Sequence, residues 1–253
     1  LGGRKRALAV AGGLLLLAAG VFLYPTLCGR PWSIDHFFTR VFVEFALERP
    51  LLLSELRLLE PWGLHFHADD LDDFSLAFER DELREVKRNL ELLRRYDLAS
   101  LTPAQRSSAK VLDWFLSLQA EREPFLLLDY PVNQLNGIQK GLPDFMVNVH
   151  QIRSERDAEN YRRRLERFGS AFDQVIEGLE ERRASGSVPP RHVLAQVRAE
   201  LARFLAPPPA EHVLVQHCEQ ALAEVAGLAQ ARRAELLAGV RTAVADTVYP
   251  AYR

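Results

Sequence analysis

The strongest candidate for metal chemistry in the sequence is His65-Phe66-His67 followed by Asp69 and Asp70. An extended backbone would aim both imidazoles to one side, and a carboxylate could supply a third ligand. The same residues also suit a polar surface loop that caps the next helix. His212, His217 and Cys218 form a second cluster. On a helix, however, positions 212 and 217 are separated by about 140° of rotation, so a shared metal is awkward and a partly buried helix face is the simpler reading. None of the seven histidines is followed by Glu, so the zinc-hydrolase pattern His-Glu-x-x-His, with two ligands on one helix face and a general base between them, does not occur. A Gly-x-Ser-x-Gly elbow and a glycine-rich phosphate loop are also missing, and neither Cys28 nor Cys218 has a local basic setting. The remaining polar concentration is YPVNQLNGIQKGLPDFM, residues 130–146. Its Tyr130, Asn133, Gln134 and Gln139 could hydrogen-bond an extended peptide backbone without adding charge, or could equally satisfy the backbone of their own loop.

Those residues are set among elements that read as helices. From Ile34 to Leu59 dense apolar residues predict two helical pieces meeting at Pro50. EPWGLHFHADDLDDFS reads as a loop, and Leu76–Tyr96 as an amphipathic helix carrying Leu83, Val86, Leu90 and Leu93. Thr102-Pro103-Ala104-Gln105 is a helix start with its cap, and Val111, Leu112, Phe115 and Leu118 are the expected buried face of that helix, which should stop near Pro124. Across 130–146, Pro131 and Pro143 disfavour a helix, at roughly 3 kcal/mol each in a helix interior. Ser154 and Asp157 open the next helical run, whose charged stretch RRRLER reads as a solvated face. Pro189 and Pro190 precede a helix to about Leu205, and a long helical region begins near Ala210. Within it Val240, Val244 and Val248 make an apolar stripe that needs a partner. No run alternates as a strand, so the expected fold class is all-α: an irregular multi-helix domain behind an N-terminal transmembrane helix.

The 253 residues carry a net charge of −2 with 26% charged, both signs mixed along the helices, and no basic stripe for nucleic acid. At the N-terminus Arg4, Lys5 and Arg6 precede an unbroken apolar run from Ala7 to Leu23, close to the length that a bilayer core requires. Residues 1–30 are therefore expected to be a membrane anchor, with a cleaved signal peptide as the alternative, and the lipid bilayer is the expected partner of residues 7–23. The positive cluster would stay in the cytoplasm, leaving residues 31–253 as an extracytoplasmic helical domain. Two cysteines give no disulfide framework.

The succession DYPVNQLNGIQKGLPDFM, DAENYRRRLERF, DQVIEGLEERRASGSVPPRHVLAQV and VYPAYR resembles the N-terminal half of the bacterial family known as domain of unknown function 885, in a similarity that spans about Phe37 to Arg253. The resemblance implies a largely helical, zinc-metallopeptidase-like protein, often exported or lipid-anchored, whose His-Glu-x-x-His helix lies in the C-terminal half. Zinc is then expected only with that half, and no catalytic residue can be assigned in this sequence. The function so implied is a membrane-anchored, exported portion of a metallopeptidase-like protein, forming part of a helical wall around a substrate channel. Its partners would be a peptide substrate or the C-terminal half, and Tyr130, Asn133, Gln134 and Gln139 would line the channel. The alternative is a non-enzymatic, truncated helical module acting by protein contact, with an apolar face left exposed.

Overall fold

A computed structural model of the chain describes residues 29–253. The anchor expected over residues 7–23 lies outside the described residues; among those described, no helix is long and apolar enough to cross a membrane. The described residues are helical with no strand, as expected. The helices are α1 Ile34–Leu47, α2 Pro50–Leu56, α3 Leu76–Leu93, α4 Pro103–Ala120, α5 Ile138–Asn148, α6 Glu155–Glu166, α7 Phe168–Ala184, α8 Arg191–Phe204, α9 Val213–Glu224 and α10 Gln230–Ala243, joined by short 3-10 turns. A π-helical turn, Val244–Val248, and a last turn, Tyr249–Ala251, follow α10.

Two compact units are present. One comprises the described residues up to Phe45 with Asp81–Glu123, the other Ala46–Arg80 with Pro124–Arg253. In the first, Ile34, Phe37, Leu90, Leu93, Ala109 and Leu116 form the core. The start of α4 is as its sequence predicts: the Thr102 hydroxyl accepts from Gln105 N, and the Gln105 side chain returns to the Thr102 N–H, so two orphan donors of the first turn are satisfied.

The buried face of α4 is not the predicted one. Ala109 and Leu116 are buried with Leu112 half-buried beside them, whereas Val111 and Trp114 are each 65% exposed and Phe115 and Leu118 are exposed as well. The helix carries two apolar stripes at helical spacing, and the one holding the small Ala109 packs inward. Periodicity cannot choose between two such stripes.

In the second unit, α6 and α7 supply the centre through Ala158, Tyr161, Leu165, Phe168, Phe172 and Val175. They are separate helices, broken at Arg167. Ser154 caps α6 as predicted, accepting from Asp157 N. The region after Ala210 is two helices instead of one, because Gly227 adopts φ +73° between α9 and α10, a left-handed conformation that side chains other than glycine rarely take. The stripe Val240, Val244 and Val248 finds its partner inside the unit: all three are fully buried, and α10 and the π turn pack on α6. No sticky face remains there. The extra residue of the π turn accommodates both Val244 and Val248 in that interface before Tyr249 and Tyr252 turn into the core.

Candidate functional site

Residues 130–148 build one wall of a groove in the second unit. The first half of the stretch is a self-contained loop: Asn133 Oδ1 accepts from the N–H groups of Leu135 and Asn136, its Nδ2 donates to Tyr130 O, and Ile138 N closes the loop on Pro131 O. Gln139, 4% exposed, donates from Nε2 to Asn133 O at 2.6 Å, while Lys140 Nζ reaches Gln134 O at 3.4 Å. Gly137 must be glycine because a Cβ there would stand 2.5 Å from Asn133 N and 2.9 Å from Asn133 O.

Against expectation the second half is a helix, α5, with Pro143 inside it. The missing N–H of Pro143 leaves the Gln139 carbonyl without its intrahelical donor. Tyr252 supplies the replacement, its hydroxyl donating to Gln139 O at 2.9 Å. Burial holds the Tyr252 phenol well above its ordinary pKa, so it stays protonated and can donate. Its ring stacks on Phe204 with 4.1 Å between centroids and contacts Phe172. The cost of the proline is thus offset by a tertiary contact that local propensity does not contain. Tyr252→Phe is expected to lower stability by about 1–2 kcal/mol, the cost of leaving a buried carbonyl unpaired. A urea midpoint unchanged from the parent would refute that role for the hydroxyl.

The groove is about 450 Å³, with Pro143, Val147, Leu201, Phe204 and Tyr252 as apolar lining and Asp144, Asn148 and Glu200 among its polar groups. Of the four residues singled out in the loop, only Gln139 lines it. Asn133 is spent on the turn, and Tyr130 and Gln134 lend carbonyls to it.

A second, more polar cavity of about 150 Å³ lies in the same unit, bounded by Arg57, His65, His67, His150, Asn160 and Arg164 among others. Arg164 comes from α6 and is 1% exposed. Its Nε donates to Asp70 O (2.9 Å), Nη2 to Ser54 Oγ (2.7 Å) and His67 O (3.0 Å), and Nη1 to His150 Nδ1 (2.8 Å). The guanidinium also lies 4.9 Å above the Phe145 ring. Burial lowers its pKa to about 10, opposed by Asp72, Asp69 and Asp70, so it remains charged at neutral pH. Since His150 Nδ1 accepts, Nε2 carries the ring proton and points to Asp157 O at 3.1 Å. Burial, reinforced by Arg164, pushes the His150 pKa down to about 4. Nearby, Arg57 holds φ +52°, a left-handed conformation that costs a side-chain-bearing residue of order 1–2 kcal/mol.

Arg164 was hidden in the charged run RRRLER. Its neighbours behave as solvated residues: Arg162 pairs with Glu166, and Arg163 and Arg167 take Asp69 and Asp70. The signal was positional, because residue 164 falls on the same helix stripe as Tyr161, Leu165 and Phe168.

The cavity also holds His65 and His67. His67 is buried, its carbonyl bonded to Arg164 and its pKa lowered by burial and then by Arg164. The Asp69 and Asp70 carboxylates face Arg163 and Arg167. Among the described residues no group of three His, Cys, Asp or Glu could hold a metal ion, so this donor set does not fit zinc. His212 and His217 are likewise apart: His212 caps α9 through Nδ1 and packs between Phe204 and Tyr249, while His217 faces Tyr161. Burial raises the Cys218 thiol pKa to about 12, leaving it an inert core residue.

Comparisons with known proteins bear on all of the groove and on the polar cavity apart from Ser54 and Arg57. A family model described as "Bacterial protein of unknown function (DUF885)" matches residues 59–253. No curated protein matches the chain. Among solved structures, the chain is similar to one described as "the putative lipoprotein from Colwellia psychrerythraea", with a TM-score of 0.71 at 21% identity. The match covers 81% of this chain and 38% of that one, so the chain spans well under half the length of its structural neighbour. At that identity the likeness establishes the fold alone.

Proposed function

Because the chain belongs to the DUF885 family of bacterial proteins, we propose that it is the peptide-holding helical portion of an exported, membrane-anchored, metallopeptidase-like protein. On this reading zinc chemistry resides in a His-Glu-x-x-His helix outside these 253 residues, and the present helices shape the channel through which a peptide reaches it. The observation that carries the reading is the groove beside α5. Its apolar floor of Pro143, Val147, Phe204 and Tyr252 can cover side chains, and Asp144, Asn148 and Glu200 can accept hydrogen bonds from an extended backbone. Tyr130, Asn133, Gln134 and Gln139 then act chiefly by building that wall, with Gln139 alone reaching it. Export and anchoring are supported by the basic residues 4–6 ahead of the apolar run 7–23, and by a structural neighbour described as a lipoprotein.

The test uses the full chain in detergent and a fluorescent unstructured decapeptide, beside the same peptide methylated at alternate backbone nitrogens. The parent peptide is expected to bind at least tenfold more tightly than the methylated one, and Val213→Trp, which fills the groove mouth, should remove the difference. Equal affinity for the two peptides, or no binding of either, would sink the proposal.

One observation favours the second reading, a module acting by protein contact. Val111, Trp114, Phe115 and Leu118 form an exposed apolar stripe on α4 in the other unit.

A further inference from the structure

The polar cavity beside Arg164 has a set of unused donors. A guanidinium has five N–H groups in a fixed fork, and the four protein acceptors around Arg164 leave one N–H on Nη1. Asn160 is 6% exposed and lines the cavity, yet its amide makes no hydrogen bond to another described residue. His67, 3% exposed, also lines it, and its Nδ1 is buried without a partner. At the more open side the guanidinium groups of Arg57 and Arg153 are free of hydrogen bonds and ion pairs among the described residues.

The charge balance points the same way. Arg57, Arg153 and Arg164 line the cavity with two acidic residues, Glu60 and Asp157, while Asp69, Asp70 and Asp72 act on Arg164 from outside the lining. Asp157 is occupied, its Oδ2 accepting from Arg153 N and the Ser154 hydroxyl. His150 is held neutral and offers nothing further, because its two ring nitrogens are engaged by Arg164 and Asp157 O. Buried polar groups without partners are uncommon, and His67 Nδ1 is one; with the spare Arg164 N–H and the unbonded Asn160 amide on the same polar space, it points to a ligand that completes them.

We propose that this cavity is a binding site for a small oxyanion, a carboxylate or a phosphate group, held by Arg164 Nη1, the Asn160 amide and Arg57. The oxygens accept from one arginine N–H at the closed end and one or two from Arg57 at the open end, with the Asn160 amide between. A volume of about 150 Å³ admits a phosphate or a short carboxylate and excludes a nucleotide or a folded partner. The site is separate from the peptide groove, whose lining shares no residue with it.

Thermal unfolding of the full chain in sodium phosphate, sodium acetate and sodium succinate, each against sodium chloride of equal ionic strength, tests the proposal. Ligand that binds only the folded state raises Tm by mass action. At least one oxyanion is expected to give a saturable rise, and which one does so separates the phosphate source from the carboxylate source. Arg57→Gly deletes the side chain where glycine suits the backbone, so its Tm in chloride should equal or exceed that of the parent. The oxyanion-dependent rise should nevertheless weaken at least tenfold in apparent affinity, and likewise in Asn160→Leu. No rise beyond chloride with any of the three anions, or a rise undiminished in both variants, would overturn the assignment.

Discussion

Arg164→Ala should lose a large fraction of the stability of its unit, about 3–5 kcal/mol out of the 5–15 kcal/mol typical of a domain. Three consequences combine in that substitution. The carbonyls of His67 and Asp70 and the Ser54 hydroxyl lose their donor, His150 Nδ1 loses its own, and the Phe145 ring loses the cation above it. Each orphaned buried acceptor costs about 1–3 kcal/mol where water cannot reach it, and the adjoining cavity lowers that for some of them by admitting water. Arg164→Lys is not a rescue: an ammonium keeps the charge, but its three donors radiate from one atom and cannot span acceptors contributed by α2, the 65–70 turn and His150 in the loop after α5. The lysine variant should therefore recover less than half of the loss. Urea unfolding of the three proteins measures this directly, and a shift below about 1 kcal/mol for the alanine variant would mean the fork is dispensable.

The second large effect is acid lability. His150 has an ordinary pKa near 6.5 when unfolded and about 4 when folded. Between those values the unfolded chain binds a proton that the folded chain refuses, so stability rises with pH across the window. The contribution is fully present above about 6.5 and is lost as pH falls through the window, amounting to about 3 kcal/mol once below 4. The groups facing the ring explain the size. Burial comes first, with the Tyr161 ring packed edge-on at 5.2 Å; Arg164 then repels a second positive charge and His217 adds a smaller like-charge effect, while only the Asp157 side favours the charged form. The His67, His212 and His217 pKa values are lowered too, all by burial first, and their titration steepens the same slope. His150→Asn keeps an acceptor near the Nδ1 position and removes the titration. Melting temperatures at pH 7.5 and 5.0 should fall less for that variant than for the parent. Equal falls would place the acid sensitivity elsewhere.

What could be read from sequence was what is local. The capping residues Thr102 with Gln105 and Ser154 with Asp157 act within one turn, and the structure has both. The family, too, was legible, because its blocks keep their order along the chain. The helix through Pro143 was not, since the hydroxyl that rescues its orphan carbonyl comes from Tyr252, 113 residues from Gln139. The exposed stripe of α4 was misassigned because two stripes satisfied the same period, and only the packing of Ala109 decides between them. Arg164 escaped for a related reason: charge suggested solvent, while position on the Tyr161–Leu165 stripe meant burial. Among the amides of residues 130–146, sequence left two tasks open, lining a channel or satisfying the loop's own backbone, and Asn133 does the second by holding a turn together.

The Tyr252–Gln139 hydrogen bond has a consequence for how the second unit opens. Short helical turns ordinarily fray alone, exchanging their amide protons at almost no free-energy cost. Here the last turn cannot lift away without uncovering the carbonyl that Pro143 left unpaired and unstacking Phe204 from the groove. The final turn and the groove floor therefore belong to one cooperative opening unit, and their amide protons should share one protection factor although they lie at distant points of the chain.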